Sequence, residues 1–220
     1  MNSALQLDYE LDSASTQEVI NAVSEHDSTK SSNNTIALTG LLTANIIKNV
    51  CQTSIETGKY LSYHYECKKM LESTQLAETL LRKYIETDSK HTLEKSHLEL
   101  TQKNTKTKNE KQSVQRRLLK IKKDLTEIPQ HLADKCLELA SYGISLFDYG
   151  DSKSRRDAAN AVSLGVAGAQ GALGIISLNL LDFRKSPWLN EKKRDANDLG
   201  IRISELQQSF NQRLATIINQ

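Results

Sequence analysis

The stretch from Gly150 to Leu180, GDSKSRRDAANAVSLGVAGAQGALGIISLNL, constrains this chain more than any other. No charged residue occurs between Asp157 and Asp182, and Ala and Gly dominate the run. Asn160, Ser163, Gln170, Ser177 and Asn179 are scattered through it. This composition predicts a helix buried on nearly all sides, with small side chains that let other helices approach closely. The run is long enough to cross a bilayer, and Gly165, Gly168 and Gly171 sit near the small-residue spacings of membrane helix pairs. Its polar residues make insertion costly, however, and no aromatic belt flanks both ends, so a core helix is expected and no membrane partner. Residues 36–47, IALTGLLTANII, are too short to span.

At 220 residues the chain can bury a full core as one domain over 1–220, with 1–14 as a flexible tail. Two prolines and nine glycines over this length favour long helices. The net charge of +2 names no partner. Cys51, Cys67 and Cys136 are odd in number and widely spaced. The N-terminal MNSALQLDYELDSAS is acidic and polar, unlike a secretory or transit signal. Reduced, buried thiols in a cytoplasmic protein are therefore expected.

No segment alternates with period two over a strand's length, so the chain is predicted to be all-α, a bundle of about six or seven helices around the central Ala/Gly-rich one. The pattern Ser15 to Glu18 should start the first helix as a capping box. Asn34 or Thr35 can cap a second, ending near Gly58. A third should run from about Tyr63 to Leu100, where Leu71, Leu76, Leu80, Leu81 and Ile85 recur at helical spacing. The polar TQKNTKTKNEKQ reads as a loop or frayed start before a short basic helix carrying Leu118, Leu119, Ile121 and Leu125. Pro129 suits the first turn of the next helix, which stops near Gly150. Ser154 should cap the central helix, and a last amphipathic helix should cover roughly 190–218.

Metal and nucleotide motifs are missing from the sequence: there is no HExxH, no Cys-x-x-Cys, no GxGxxG and no GxxxxGK[ST]. The five histidines are dispersed, so no metal site is expected. Lys103, Lys106, Lys108, Lys111, Arg116, Arg117, Lys120, Lys122 and Lys123 form a basic stretch. No aromatics interleave with it, which argues against nucleic acid and for a solvated face or a rim that attracts an anionic substrate.

In its order of elements the chain resembles the cyclodeaminase/cyclohydrolase family, the C-terminal half of formiminotransferase-cyclodeaminase and its free-standing relatives. The helix ALTGLLTANIIKNV leads to Gly58-Lys59, like the family's Gly-basic pair. IETDSKHT, residues 85–92, matches its acidic motif, and Glu127-Ile128-Pro129 its helix start. Arg156-Asp157 through Asn179-Leu180 matches, without a gap, its buried helix ending in Asn-Leu. The resemblance implies a helical homodimer with its site near the subunit interface, no bound cofactor, and a one-carbon tetrahydrofolate as substrate. It places the acidic catalytic residue on Asp88 and substrate contacts on Lys59, Asn33, Asn34, Arg156, Asp157 and Asn179.

One carboxylate suits the implied reaction. Closing the ring of 5-formimino-tetrahydrofolate with loss of ammonia, or opening 5,10-methenyl-tetrahydrofolate with water, needs one proton removed and one delivered, which a single carboxylate can do in turn. Glu86 points to another side of the helix, and His91, three residues after Asp88, can orient it or relay protons. Two departures stand out. KSSNNTI replaces the family's Pro-Gly-Gly-Gly-Ser loop, whose backbone can approach a ligand more closely, and Ile175 stands where the family has Asn. They leave room for a changed amine or imine cyclisation substrate, or for a non-catalytic dimeric scaffold.

Overall fold

A computed structural model describes residues 32–57 and 61–219. Among these residues the chain is all-α, with five helices: α1 (Ser32–Glu56), α2 (Leu61–Asn104), α3 (Lys108–Tyr149), α4 (Arg155–Asn179) and α5 (Pro187–Ile218). The helix expected from Ser15 lies outside the described residues, as do Gly58 and Lys59.

The core is built where α1, α3 and α4 meet, with α2 closing one flank and α5 another. Ile47, Val50, Leu81, Leu132, Leu139, Leu146 and Val162 are wholly or almost wholly buried there. Glycine sets the α3–α4 distance. A Cβ on Gly165 would lie 2.7 Å from the Cys136 carbonyl oxygen, and one on Gly143 would lie 2.8 Å from Val162 Cγ2. Both are closer than side-chain carbon tolerates, so the two backbones meet at these positions. All three cysteines are buried and free, and burial pushes the Cys136 thiol up to about 12.

Helix α4 departs from the expectation of burial on nearly all sides. Ala158, Ala161, Val162, Gly165, Val166, Ala169, Ala172 and Ile176 face the core. Ser163, Ala167, Gly171, Gly174, Ser177 and Leu178 face out. The run Ser152–Asp182 is long and apolar enough to cross a membrane by length and composition, and 44% of its most apolar window is buried inside the domain. Ser154 precedes α4 without a side-chain capping bond; Asp151 instead caps the preceding 3₁₀ turn by accepting from Lys153 N at 2.9 Å.

The two helices expected on either side of Pro129 are one. Pro129 lies inside α3, which runs unbroken from Lys108. Its ring nitrogen cannot donate to the carbonyl of Leu125, one turn back. Asn179 Nδ2 supplies that bond instead, donating to Leu125 O at 3.3 Å. The polar loop expected near 101–112 shrinks to residues 105–107, because Thr107 caps α3 by accepting from Glu110 N. Ser186 caps α5 in the same way, with Pro187 in the first turn.

Beyond the body, α2 and α3 continue as a hairpin around a small second core of Leu98, Leu118 and Ile121. The basic stretch lies on this hairpin, and most of it is exposed. Arg117 pairs with Glu94 at 2.8 Å, Lys122 with Asp182 at 3.5 Å, and Lys123 lies over the Trp188 ring at 4.8 Å.

Candidate functional site

A cleft of about 260 Å³ opens where the start of α1, the second half of α2, the stretch of α3 before Pro129 and the end of α4 come together. Each helix contributes residues at one-turn spacing, as one face of a helix must. Thr92 and Lys95 come from α2, Lys122, Leu125 and Thr126 from α3, and Ile175 and Asn179 from α4. Asn33 from α1, and Asp182 and Phe183 from the segment after α4, complete the lining.

Behind Asn33 lies Asp88, with no solvent exposure. Asn33 Nδ2 donates to Asp88 Oδ1 at 2.7 Å, a short bond between two buried side chains fifty-five residues apart. A carboxylate taken out of water needs such donors to remain ionised. Asp88, Thr92 and Lys95 occupy positions i, i+4 and i+7 of α2, so one stripe of that helix runs from the buried carboxylate to the rim of the cleft.

The remaining residues expected at the site divide into groups. Asn33, Asp88 and Asn179 gather at this end of the fold. Asn34 is half-buried beside Asn33, and its Oδ1 is buried with no hydrogen-bond partner. His91 is half-buried, and its Nδ1 also has no hydrogen-bond partner. Glu86 is exposed, pointing away as its spacing implied.

Arg156 and Asp157 are exposed at the opposite end of α4, about 33 Å from Asn179 at 1.5 Å per residue. That end lies beside the C-terminus of α1, where Asp151 N donates to Ser54 Oγ at 3.0 Å. Lys59 lies outside the described residues. Within one chain, then, Arg156 and Asp157 do not join Asp88. Thr92, Lys95 and Phe183 had not been anticipated. For Thr92 and Lys95 the signal was the i+4 and i+7 spacing from Asp88; for Phe183 there was none. No cluster of three His, Cys, Asp or Glu side chains that could hold a metal is found among the described residues.

An all-helical domain with a buried carboxylate behind a small polar cleft defines a class rather than a protein, and the comparisons narrow it. The family model for formiminotransferase-cyclodeaminase matches residues 15–198, and the chain belongs to that family. Its fold is that of formiminotetrahydrofolate cyclodeaminase from Thermotoga maritima, to which it is similar with a TM-score of 0.80 and 16% identity, over 95% of this chain and 100% of that one. No curated protein sequence matches the chain.

Proposed function

We propose that the chain is a cytoplasmic cyclodeaminase- or cyclohydrolase-type enzyme acting on a one-carbon tetrahydrofolate, with Asp88 as its general acid and base. The observation that carries the reading is the Asn33–Asp88 hydrogen bond directly behind the cleft. In the deaminating direction, N10 of 5-formimino-tetrahydrofolate attacks the formimino carbon. Asp88 takes the N10 proton and passes it to the departing nitrogen. With one further proton from solvent this nitrogen leaves as ammonia, and the ring closes to the 5,10-methenyl form. Asn33 holds the carboxyl in place through its hydrogen bond, and its side chain must swing aside for substrate to reach Asp88.

A homodimer fits the same reading. Beyond Asp157 the outer face of α4 carries no charge, with Leu178 67% exposed and Gly174 meeting nothing within 4 Å. Two such faces packed about a twofold axis across the helix would run antiparallel. That arrangement carries Arg156 and Asp157 of the partner subunit toward Asn179 and Asp88, uniting residues that one chain holds about 33 Å apart.

The complete burial of Asp88 favours a second reading, a dimeric scaffold whose carboxylate is only structural. Calorimetry with 5-formyl-tetrahydrofolate, followed by ammonia release from 5-formimino-tetrahydrofolate, separates the two. Saturable binding, with ammonia release abolished in Asp88→Asn, is expected of the enzyme. A folded dimer that neither binds nor releases ammonia sinks it. Gly174→Arg should give a folded monomer by light scattering; an unchanged dimer excludes this face as the interface.

A further inference from the structure

Lys95 is the one cation lining the cleft that makes no ion pair among the described residues. Its cationic neighbours are engaged: Lys122 faces Asp182 at 3.5 Å, Lys123 stacks on Trp188 and Arg117 holds Glu94. Lys95 is half-buried, so part of its hydration is already lost with no carboxylate to offset it. It shares the α2 stripe with Asp88, seven residues and therefore about 10 Å further along the axis. Thr92 lies between them on the same face and also lines the cleft. Phe183, also in the lining, offers a flat apolar surface.

We propose that Lys95 anchors an anionic group of the substrate, so that the site selects molecules whose reacting nitrogen and whose anion stand about 10 Å apart or slightly more. The inference rests on the reading of Asp88 as the reacting group. It adds a requirement which that reading lacks: a neutral ring system alone should bind poorly, and a compact anion without the ring should not compete. Lys122 is the weaker candidate for this part, because Asp182 already offsets some of its charge.

The test compares two probes by calorimetry: 5-formyl-tetrahydrofolate, which carries carboxylates, and 5-formyl-6-methyl-tetrahydropterin, which carries none. Lys95→Met should weaken the first by about tenfold or more and leave the second within about twofold. Lys95→Arg should keep most of the affinity, and Lys90→Met, on an exposed part of α2, should change neither. Added salt should weaken the first probe in the wild type and much less in Lys95→Met. Equal affinity of Lys95→Met and wild type for 5-formyl-tetrahydrofolate overturns the anchor and leaves the folate reading standing. Failure of the wild type to bind either probe overturns both.

Discussion

Asn33 and Asp88 meet at 2.7 Å across fifty-five residues of sequence, with both side chains buried. Asn33 belongs to KSSNNTI, where the resemblance led one to expect a glycine-rich loop, and its side chain supplies a donor to the buried carboxylate. A glycine-rich loop offers a ligand its backbone amides; here a side-chain amide is turned inward to the protein's own acid. Asn33→Ala should cost about 2 kcal/mol of stability, because the hydrogen bond to the buried Asp88 carboxyl is lost. Asp88→Asn should cost less, since its carbonyl oxygen can still accept the bond, yet abolish ammonia release. Chemical denaturation of the two variants, read beside their activity, checks both statements. An Asp88→Asn protein that keeps full activity removes Asp88 from the chemistry.

Asn179 completes the backbone that Pro129 leaves open, and the two should be energetically coupled. Asn179→Ala should destabilise by about 1 kcal/mol in the wild type. In a Pro129→Ala background, where residue 129 regains an N–H, the same change should cost much less. A double-mutant cycle by urea unfolding measures the coupling. Additive effects would mean that the 3.3 Å contact carries no energy.

Gly165 and Gly174 lie on the same helix and should respond in opposite ways. Gly165→Val forces carbon against the Cys136 carbonyl oxygen and should cost about 1–3 kcal/mol or more, seen as a lowered melting temperature. Gly174→Ala meets nothing within the chain and should be neutral or slightly stabilising, by up to about 1 kcal/mol from helix propensity. A strong loss at Gly174 with retained monomer fold would place a close neighbour there.

Glu138 ties α2 to α3. It accepts from Ser73 at 2.6 Å, Tyr142 at 2.8 Å and Lys135 at 2.7 Å. Burial pushes its carboxyl upward, but the hydrogen bonds from Lys135, Ser73 and Tyr142 outweigh this and hold it below the usual range. A depressed carboxyl contributes stability above its unfolded pKa and loses it as pH falls through the folded value. Glu138→Gln should therefore cost about 1 kcal/mol at neutral pH, given partial exposure, and progressively less in acid below about pH 4. Melting temperatures of the two proteins from pH 7 to pH 3 should converge; parallel curves would contradict the assignment.

The helical class and the approximate bounds of α2 and α5 were legible because periodicity and turn signals agree there; the hydrogen bond from Asn33 to Asp88 was not, since it joins residues fifty-five apart. The continuity of α3 was not. Pro129 reads locally as a helix start, and only a partner fifty residues away makes an interior proline tolerable. The exposure of half of α4 was hidden for a related reason. Composition records that a helix is uncharged on all sides, but not whether its second face is covered by this chain or by another. Lys95 was visible as a letter at i+7 from Asp88, yet nothing in the sequence separates a lysine beside a cleft from one in solvent.

The bond from Asn179 to the carbonyl above Pro129 makes two distant positions a single inherited character. A relative that keeps proline at the position of residue 129 is under pressure to keep a donor at the position of residue 179, and one that replaces the proline is released from it. Asn at the end of α4 can thus persist in lineages that have lost the chemistry altogether, as a record of how the α3 backbone is completed rather than of what the protein binds.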